Sequence, residues 1–298
     1  DLFVAVRGET HDGHDHLEAA ADAGCIAAIV DRSMEVTESR LRLFGGGMMG
    51  VEDTRKALGE LAKHYRQHLP ATVVAVTGSN GKTTVKRMIH HILATRVVGK
   101  ASPKSFNNDI GVPLTLLSVE TSDDYVICEI GTNAVGEVLD LSRIAQPDIA
   151  VITQVSAAHL EGLGSIDRVA VEKASLLAPL ASNGIAVVRG DNEPLARALN
   201  SYECRMIRFG AGDECHLRLT GYELTDTGQR FQINDRTWVE LLLLGRHNAF
   251  NALAAIAVAQ RFGFNQDDAA AALVDFSGVE MRLEPVDIGS VRVINDAY

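Results

Sequence analysis

Cysteine and aromatic residues are scarce in this chain of 298 residues: four Cys, one Trp and 5% aromatics overall. The cysteines, Cys25, Cys128, Cys204 and Cys215, contain no C-x-x-C pair, which argues against a zinc ribbon or a dithiol redox centre. Cys25 and Cys128 sit in apolar runs, and the simple reading is buried thiols in a reducing cytosol. No apolar run approaches the roughly 20 residues that a membrane-spanning helix needs. Positive charge is also in deficit, with a formal net charge of -11, which argues against nucleic acid or an anionic membrane as partner. An anionic small molecule stays open, because a local basic or amide-lined pocket can hold one. A signal peptide is not expected, since Asp1 leads straight into the strand-like Leu2–Val6; the start without Met suggests a piece of a longer protein.

What is present is rhythm. Residues 1–70 read as one small α/β unit. Strands are expected at Leu2–Val6 and Cys25–Val30, with a helix at His16–Ala23 between them. Leu41–Gly50 reads as a flexible glycine-rich loop, and Asp53 as the N-cap of a helix carrying Ala57, Leu58, Leu61 and Tyr65. Pro70 marks a boundary. From Ala71 onward short β-branched runs alternate with helical patterns. Strands are expected at Thr72–Thr77, Tyr125–Ile130, Ile149–Thr153 and Ile185–Val188, and helices at Thr83–Ala94, Gly136–Ala145 and Ile166–Leu177. Such continuous apolar strands imply a mostly parallel sheet covered by helices on both faces. A β-rich stretch follows over Arg205–Leu244, then helices at His247–Phe262 and Gln266–Val274. The expected class is therefore α/β, a small first domain before a central P-loop domain over 71–298 with a β-rich extension.

The strand Thr72–Thr77 runs into Gly78-Ser79-Asn80-Gly81-Lys82-Thr83-Thr84, where a helix opens. Glycines let backbone N–H groups approach phosphate oxygens, and a helix N-terminus adds the positive end of its dipole. Lys82 supplies a cation for the β- and γ-phosphates, and a threonine hydroxyl can reach Mg²⁺. The usual G-x-x-x-x-G-K-[ST] pattern asks for glycine at position 76, which is Val76, so the loop is shorter than usual. A chance glycine turn between strand and helix is the plain alternative. The coincidence of strand, Gly-Lys-Thr and helix in the order that phosphate binding requires favours the nucleotide loop.

GSNGKTT resembles the loop of the Mur ligase and folylpolyglutamate synthetase superfamily, which joins a carboxylate to an amine through an acyl phosphate. The resemblance extends along nearly the whole chain. Glu129, in EIGTNAVGE, falls where these ligases place a magnesium-binding glutamate. His159, in AHLEGLGS, falls where they place a histidine, and Lys173, in VAVEKASLL, where they place a carbamylated lysine near a second metal. His247-Asn248-Ala249-Phe250-Asn251 resembles their nucleotide-side HNxxN motif. Arg282, in EMRLEP, and Asp296, in INDAY, resemble their downstream nucleotide contacts. Taken singly, each has a bland reading as a strand-end, loop or helix-surface residue.

Three stretches are similar to the dipeptide-adding branch: FNNDIGVPLTLL, which carries Asn107 and Asn108 on the substrate side, AHLEGLGS and INDAY. The resemblance implies ATP and two Mg²⁺ as cofactors, with metal ligands Thr83, Glu129, His159 and carbamylated Lys173. It implies UDP-N-acetylmuramoyl-tripeptide and D-alanyl-D-alanine as substrates, a cytoplasmic monomer without membrane insertion, and a further C-terminal domain without which the chain is expected to be inactive. Departures occur at Lys104-Ser105-Phe106, at Ala134 and at Gln154-Val155-Ser156, all expected on the substrate side. HDGHDH, with His11, Asp12, His14 and His16, invites a metal reading, but a glycine turn explains it equally well. The remaining rivals are a Mur ligase adding the third residue, a cyanophycin-type synthetase, a P-loop NTPase or kinase, and a non-catalytic binding module.

Overall fold

Thr72–Thr77 forms the strand at the centre of the molecule, and its side chains explain why. Val73, Val74, Ala75 and Val76 are all 0% exposed, so both faces of the strand are buried. Val74 and Val76 pack into one hydrophobic cluster while Val73 and Ala75 pack into another on the opposite face, as the two-residue period of a strand requires. The structure is a computed structural model. It describes the chain except Glu9, Val36, His159, residues 279–283, Ser290 and residues 296–298, and gives only the backbone of residues 284–288, Arg292 and Ile294.

The first unit is a three-stranded parallel sheet of β1 (Leu2–Val4), β2 (Ala27–Asp31) and β3 (Met48–Val51), with the short helices α1 (Leu17–Asp22) and α2 (Glu38–Leu41). The stretch expected to be loop, Leu41–Gly50, therefore ends in a strand. Met48 to Gly50 pair with Ala28 to Val30, so backbone hydrogen bonding organises a segment whose glycines read as a flexible loop. A small core of Ala5, Leu17, Ala28, Val30 and Phe44 holds this unit. α3 (Thr54–Arg66) opens on Asp53, whose side chain accepts from the N–H groups of Arg55 and Lys56, as expected for the cap. The helix packs on the central body: Ala62 is fully buried in the same cluster as Val73 and Val112.

The central body is built on β4 (Thr72–Thr77), α4 (Lys82–Leu93), β5 (Gly99–Ala101), α5 (Gly111–Leu117), β6 (Tyr125–Glu129), α6 (Glu137–Ala145), β7 (Ile149–Ile152), α7 (Leu160–Leu163), α8 (Ile166–Ala174), β8 (Ile185–Arg189), α9 (Glu193–Leu199) and β9 (Arg205–Gly210). β10 (Leu217–Thr225), β11 (Gly228–Ile233) and β12 (Thr237–Leu241) extend the sheet, and α10 (Arg246–Ala259) and α11 (Gln266–Ala271) follow. A hairpin, β13 (Glu284–Ile288) and β14 (Val291–Asn295), lies beyond.

Among the described residues the large sheet has nine strands in the order β12-β11-β10-β9-β8-β7-β4-β6-β5. From β5 to β10 the pairing is parallel; β11 and β12 are antiparallel, the β-rich extension read from the sequence. One face is covered by α4 and α10, the other by α3, α5, α6 and α8. The chain moves from β4 toward β5 and β6, then back across β4 to β7. That reversal is a topological switch point, and such sheets bind ligands beyond the carboxyl ends of the strands flanking it.

Candidate active site

The loop after β4 lies at that switch point. Gly78 has φ +151 and Gly81 has φ +82, conformations that L side chains rarely adopt. A Cβ on Gly78 would collide with the Thr153 hydroxyl, and one on Gly81 with the side-chain oxygen of Asn251. Both glycines are therefore needed for backbone shape and for close packing. Gly81 stands at the N-cap of α4, so the start of the helix, with its positive dipole end, lines the cleft. Lys82 Nζ donates to the Gly78 carbonyl at 3.0 Å, folding the lysine back over the loop.

Neighbouring elements brace the loop. Beyond β7, the Ser79 N–H donates to the Gln154 carbonyl at 2.8 Å and the Ser156 N–H donates to Ser79 Oγ at 3.0 Å. Ser79 Oγ reaches the Ser156 carbonyl at 3.2 Å, and Asn80 Nδ2 reaches Ser156 Oγ at 3.2 Å. The Thr153 hydroxyl donates to the Asn80 carbonyl. Gln154 and Ser156, expected on the substrate side, brace the phosphate loop, and Gln154 also lines the cleft beside it. From α10, Asn251 Nδ2 donates to Asn248 Oδ1 at 3.0 Å, and Asn248 Nδ2 to the Leu244 carbonyl at 2.9 Å. Asn248 and Asn251 are 5% and 9% exposed, so the pair is packed against the loop rather than spread on a solvent face.

Glu129, the last residue of β6, is 1% exposed and fully engaged. Thr83 Oγ1 donates to its Oε2 at 3.0 Å, and Asn107 Nδ2 donates to its Oε1 at 3.1 Å. Lys86 Nζ lies 3.0 Å from the same Oε2. Asn108 is turned differently: its Oδ1 accepts from the Gly111 N–H at 2.9 Å, at the start of α5. Thr84 is 7% exposed beside Thr83.

Lys173 lies on α8 with its side chain 1% exposed, and its Nζ has no hydrogen-bond partner among the described residues. Burial, and after it the charge of Lys82, push its ammonium down to about 7. Beside it, Glu172 is committed to structure: it accepts from the N–H groups of Gly136 and Val138, each at 2.8 Å, and so pins the start of α6. The described residues enclose a cleft of 1230 Å³ whose lining includes Lys82, Thr83, Glu129, Asn107, Asn248 and Asn251. His159, Arg282 and Asp296, expected to complete the site, lie outside the described residues.

Lys86 and Glu172 were not singled out from the sequence. Lys86 carried a signal: it is a lysine amid Val85, Met88, Ile89 and Ile92 on the apolar side of α4. The HDGHDH stretch has a structural task. His14 Nε2 accepts from the Asp31 N–H at 2.9 Å, so its Nδ1 carries the proton donated to Asp12, and both ring nitrogens are occupied. Among the described residues no three His, Cys, Asp or Glu side chains cluster to hold a metal.

Comparison with known proteins agrees with this geometry. Residues 76–259 match the model of the Mur ligase middle domain. The chain is 38% identical over 300 residues to the UDP-N-acetylmuramoyl-tripeptide--D-alanyl-D-alanine ligase of Bacillus subtilis, covering all of this chain and 64% of that protein. It is 36% identical over 303 residues to the ligase of the same name from Escherichia coli, covering 65% of it. Among solved structures, MurF from Acinetobacter baumannii superposes with a TM-score of 0.90 at 30% identity, over all of this chain and 65% of that one. The chain thus spans about two-thirds of the length of the relatives it matches.

Proposed function

This chain belongs to the Mur ligase family, and from that premise we propose that it is the nucleotide-binding part of an ATP-dependent ligase that adds D-alanyl-D-alanine to UDP-N-acetylmuramoyl-tripeptide. The observation that carries the reading is the cluster at the carboxyl ends of β4 and β6, where the short phosphate loop, Thr83 and Glu129 meet in one cleft. A relative from Thermotoga maritima, a MurF ligase, was solved in complex with ADP, which supports a nucleotide at this loop.

The residues fit Mg²⁺. The Thr83 hydroxyl and the Glu129 carboxylate are oxygen donors 3.0 Å apart at the end of the loop, the ligand type that Mg²⁺ takes. Bound there, Mg²⁺ supplies charge neutralisation between two anionic reactants. Lys173 fits a second role. A buried amine with no hydrogen-bond partner among the described residues, neutral above about 7, can add carbon dioxide, losing a proton and becoming a carbamate that offers two oxygens. With His159 it would form the second metal position.

Phosphoryl transfer depends on positioning and charge rather than on covalent help from the protein. The loop amides and Lys82 hold the triphosphate, and Asn107 with Glu129 fixes the acceptor side. A carboxylate oxygen of the tripeptide bonds to the γ-phosphorus while the bond to the ADP oxygen breaks. The amine of D-alanyl-D-alanine then forms the amide by displacing phosphate from the acyl carbon. Asn248, Asn251, Arg282 and Asp296 are assigned to the nucleotide, Asn108 to the substrate side, and the cytoplasm is the expected compartment. The test is ADP release by the full-length protein with each substrate omitted in turn. Release only with all three present supports the reading; release without an amine refutes it in favour of an NTPase or kinase.

A further inference from the structure

We propose that Lys86 is a resident counter-cation for Glu129 and sets the order of assembly, so that the divalent metal enters with the nucleotide and not ahead of it. The inference rests on reading Thr83 and Glu129 as metal ligands. Lys86 and Glu129 form an ion pair at 3.0 Å with both side chains 1% exposed. A buried pair of this kind is costly to desolvate, and packing alone is served as well by an apolar residue, so its presence asks for a reason.

The geometry gives one. The Lys86 ammonium has three partners: Glu129 Oε2, Ser102 Oγ at 3.1 Å and the Lys104 carbonyl. Its three donors are therefore matched, and it is held at the carboxylate rather than aimed at a phosphate. Glu129 in turn accepts from Thr83 and Asn107. Its charge is balanced before any ligand arrives, and Lys82 adds a further positive charge at the loop. Glu172, which precedes Lys173 on α8, is committed to the Gly136 and Val138 N–H groups.

At Glu129 and Thr83 a lone dication thus meets a neutralised carboxylate and a hydroxyl between fixed cations, and binds weakly there. A triphosphate brings the missing negative charge, after which Glu129 and Thr83 serve as two ligands among several. Lys86 also ties α4 to the segment at 102–104, which leads to Asn107, so the metal end and the acceptor side are positioned together.

The experiment measures Mn²⁺ binding to metal-free, full-length protein by the electron paramagnetic resonance of free Mn²⁺. It is done with and without a non-hydrolysable ATP analogue, for wild type, Lys86→Met and Lys86→Gln, and the Mn²⁺ held by the analogue alone is measured without protein and subtracted. Wild type is expected to bind Mn²⁺ alone at least tenfold more weakly than with the analogue. Either neutral variant, shown to be folded by its melting curve, is expected to bind Mn²⁺ alone at least tenfold more tightly than wild type. A merely structural lysine would lower the melting temperature without strengthening metal binding. Mn²⁺ affinity in a folded neutral variant within twofold of wild type overturns the proposal. So does equal wild-type affinity with and without the analogue, a result that needs no variant. Failure of wild type to bind Mn²⁺ even with the analogue removes the metal reading of Thr83 and Glu129 itself, and is distinguishable for that reason.

Discussion

Gly81 does two things that no other residue can do at its position. Its φ of +82 and its contact with Asn251 both exclude a Cβ. Strain of about 1–2 kcal/mol is expected for an L side chain in this region before the collision is counted. Gly81→Ala should therefore weaken ATP binding at least tenfold by calorimetry, with a fall of a few degrees in melting temperature. Lys173 gives a pH-dependent test. Its pKa is pushed down to about 7 in the fold, against the ordinary lysine value of 10.5, so between those limits the unfolded chain binds the extra proton. The destabilisation is complete below about 7 and disappears as pH rises toward 10.5. Lys173→Met in carbon-dioxide-free buffer should thus stabilise the protein more at pH 6.5 than at pH 9.5, as measured by denaturant midpoint; an equal effect at both would contradict the buried neutral amine. The sequence made the identities of these residues legible, because Gly-Lys-Thr after a strand has a chemical meaning. It did not reveal that Ser79 is bonded to Ser156, or that Lys86 meets Glu129, since those contacts join residues far apart in the chain.

At the scale of the element, the phosphate loop keeps its shape because β7 and α10 hold it. Ser79→Ala removes the Ser79 hydroxyl's bonds to Ser156 and leaves the Ser156 N–H without its acceptor, a loss of about 1–3 kcal/mol. A 3- to 10-fold loss of ATP affinity in calorimetry should accompany it. Asp53→Ala tests a different element: losing the cap of α3 should cost about 1 kcal/mol in chemical denaturation without altering nucleotide affinity. Long periodic elements such as β4 and α4 were legible from alternation and helical spacing. α5 was not: Pro113 stands inside its first turn, where a missing N–H is harmless, but proline in a short segment reads as a break. β5 was hidden as well, because three residues at a sheet edge carry too little pattern.

The whole molecule is organised by one reversal of strand order. β4 has β6 on one side and β7 on the other, so three strand ends deliver the phosphate loop, Glu129 and the Gln154–Ser156 brace to the same place. Two hydrophobic layers, one on each face of the sheet, keep those ends fixed while the cleft stays open. At this scale the parallel sheet was readable from the alternation of strands and helices, whereas the strand order was not, because it depends on crossovers that local pattern does not encode. The chemistry assigned to the cleft requires an oxygen of the substrate carboxylate to end in inorganic phosphate. The direct measurement is turnover of UDP-N-acetylmuramoyl-tripeptide labelled with ¹⁸O in its reacting carboxylate by the full-length protein, with the phosphate released analysed by mass spectrometry. One ¹⁸O per phosphate is expected, abolished together with turnover in Lys82→Ala; phosphate free of label during amide formation would contradict an acyl phosphate and, with it, the ligase reading of the site.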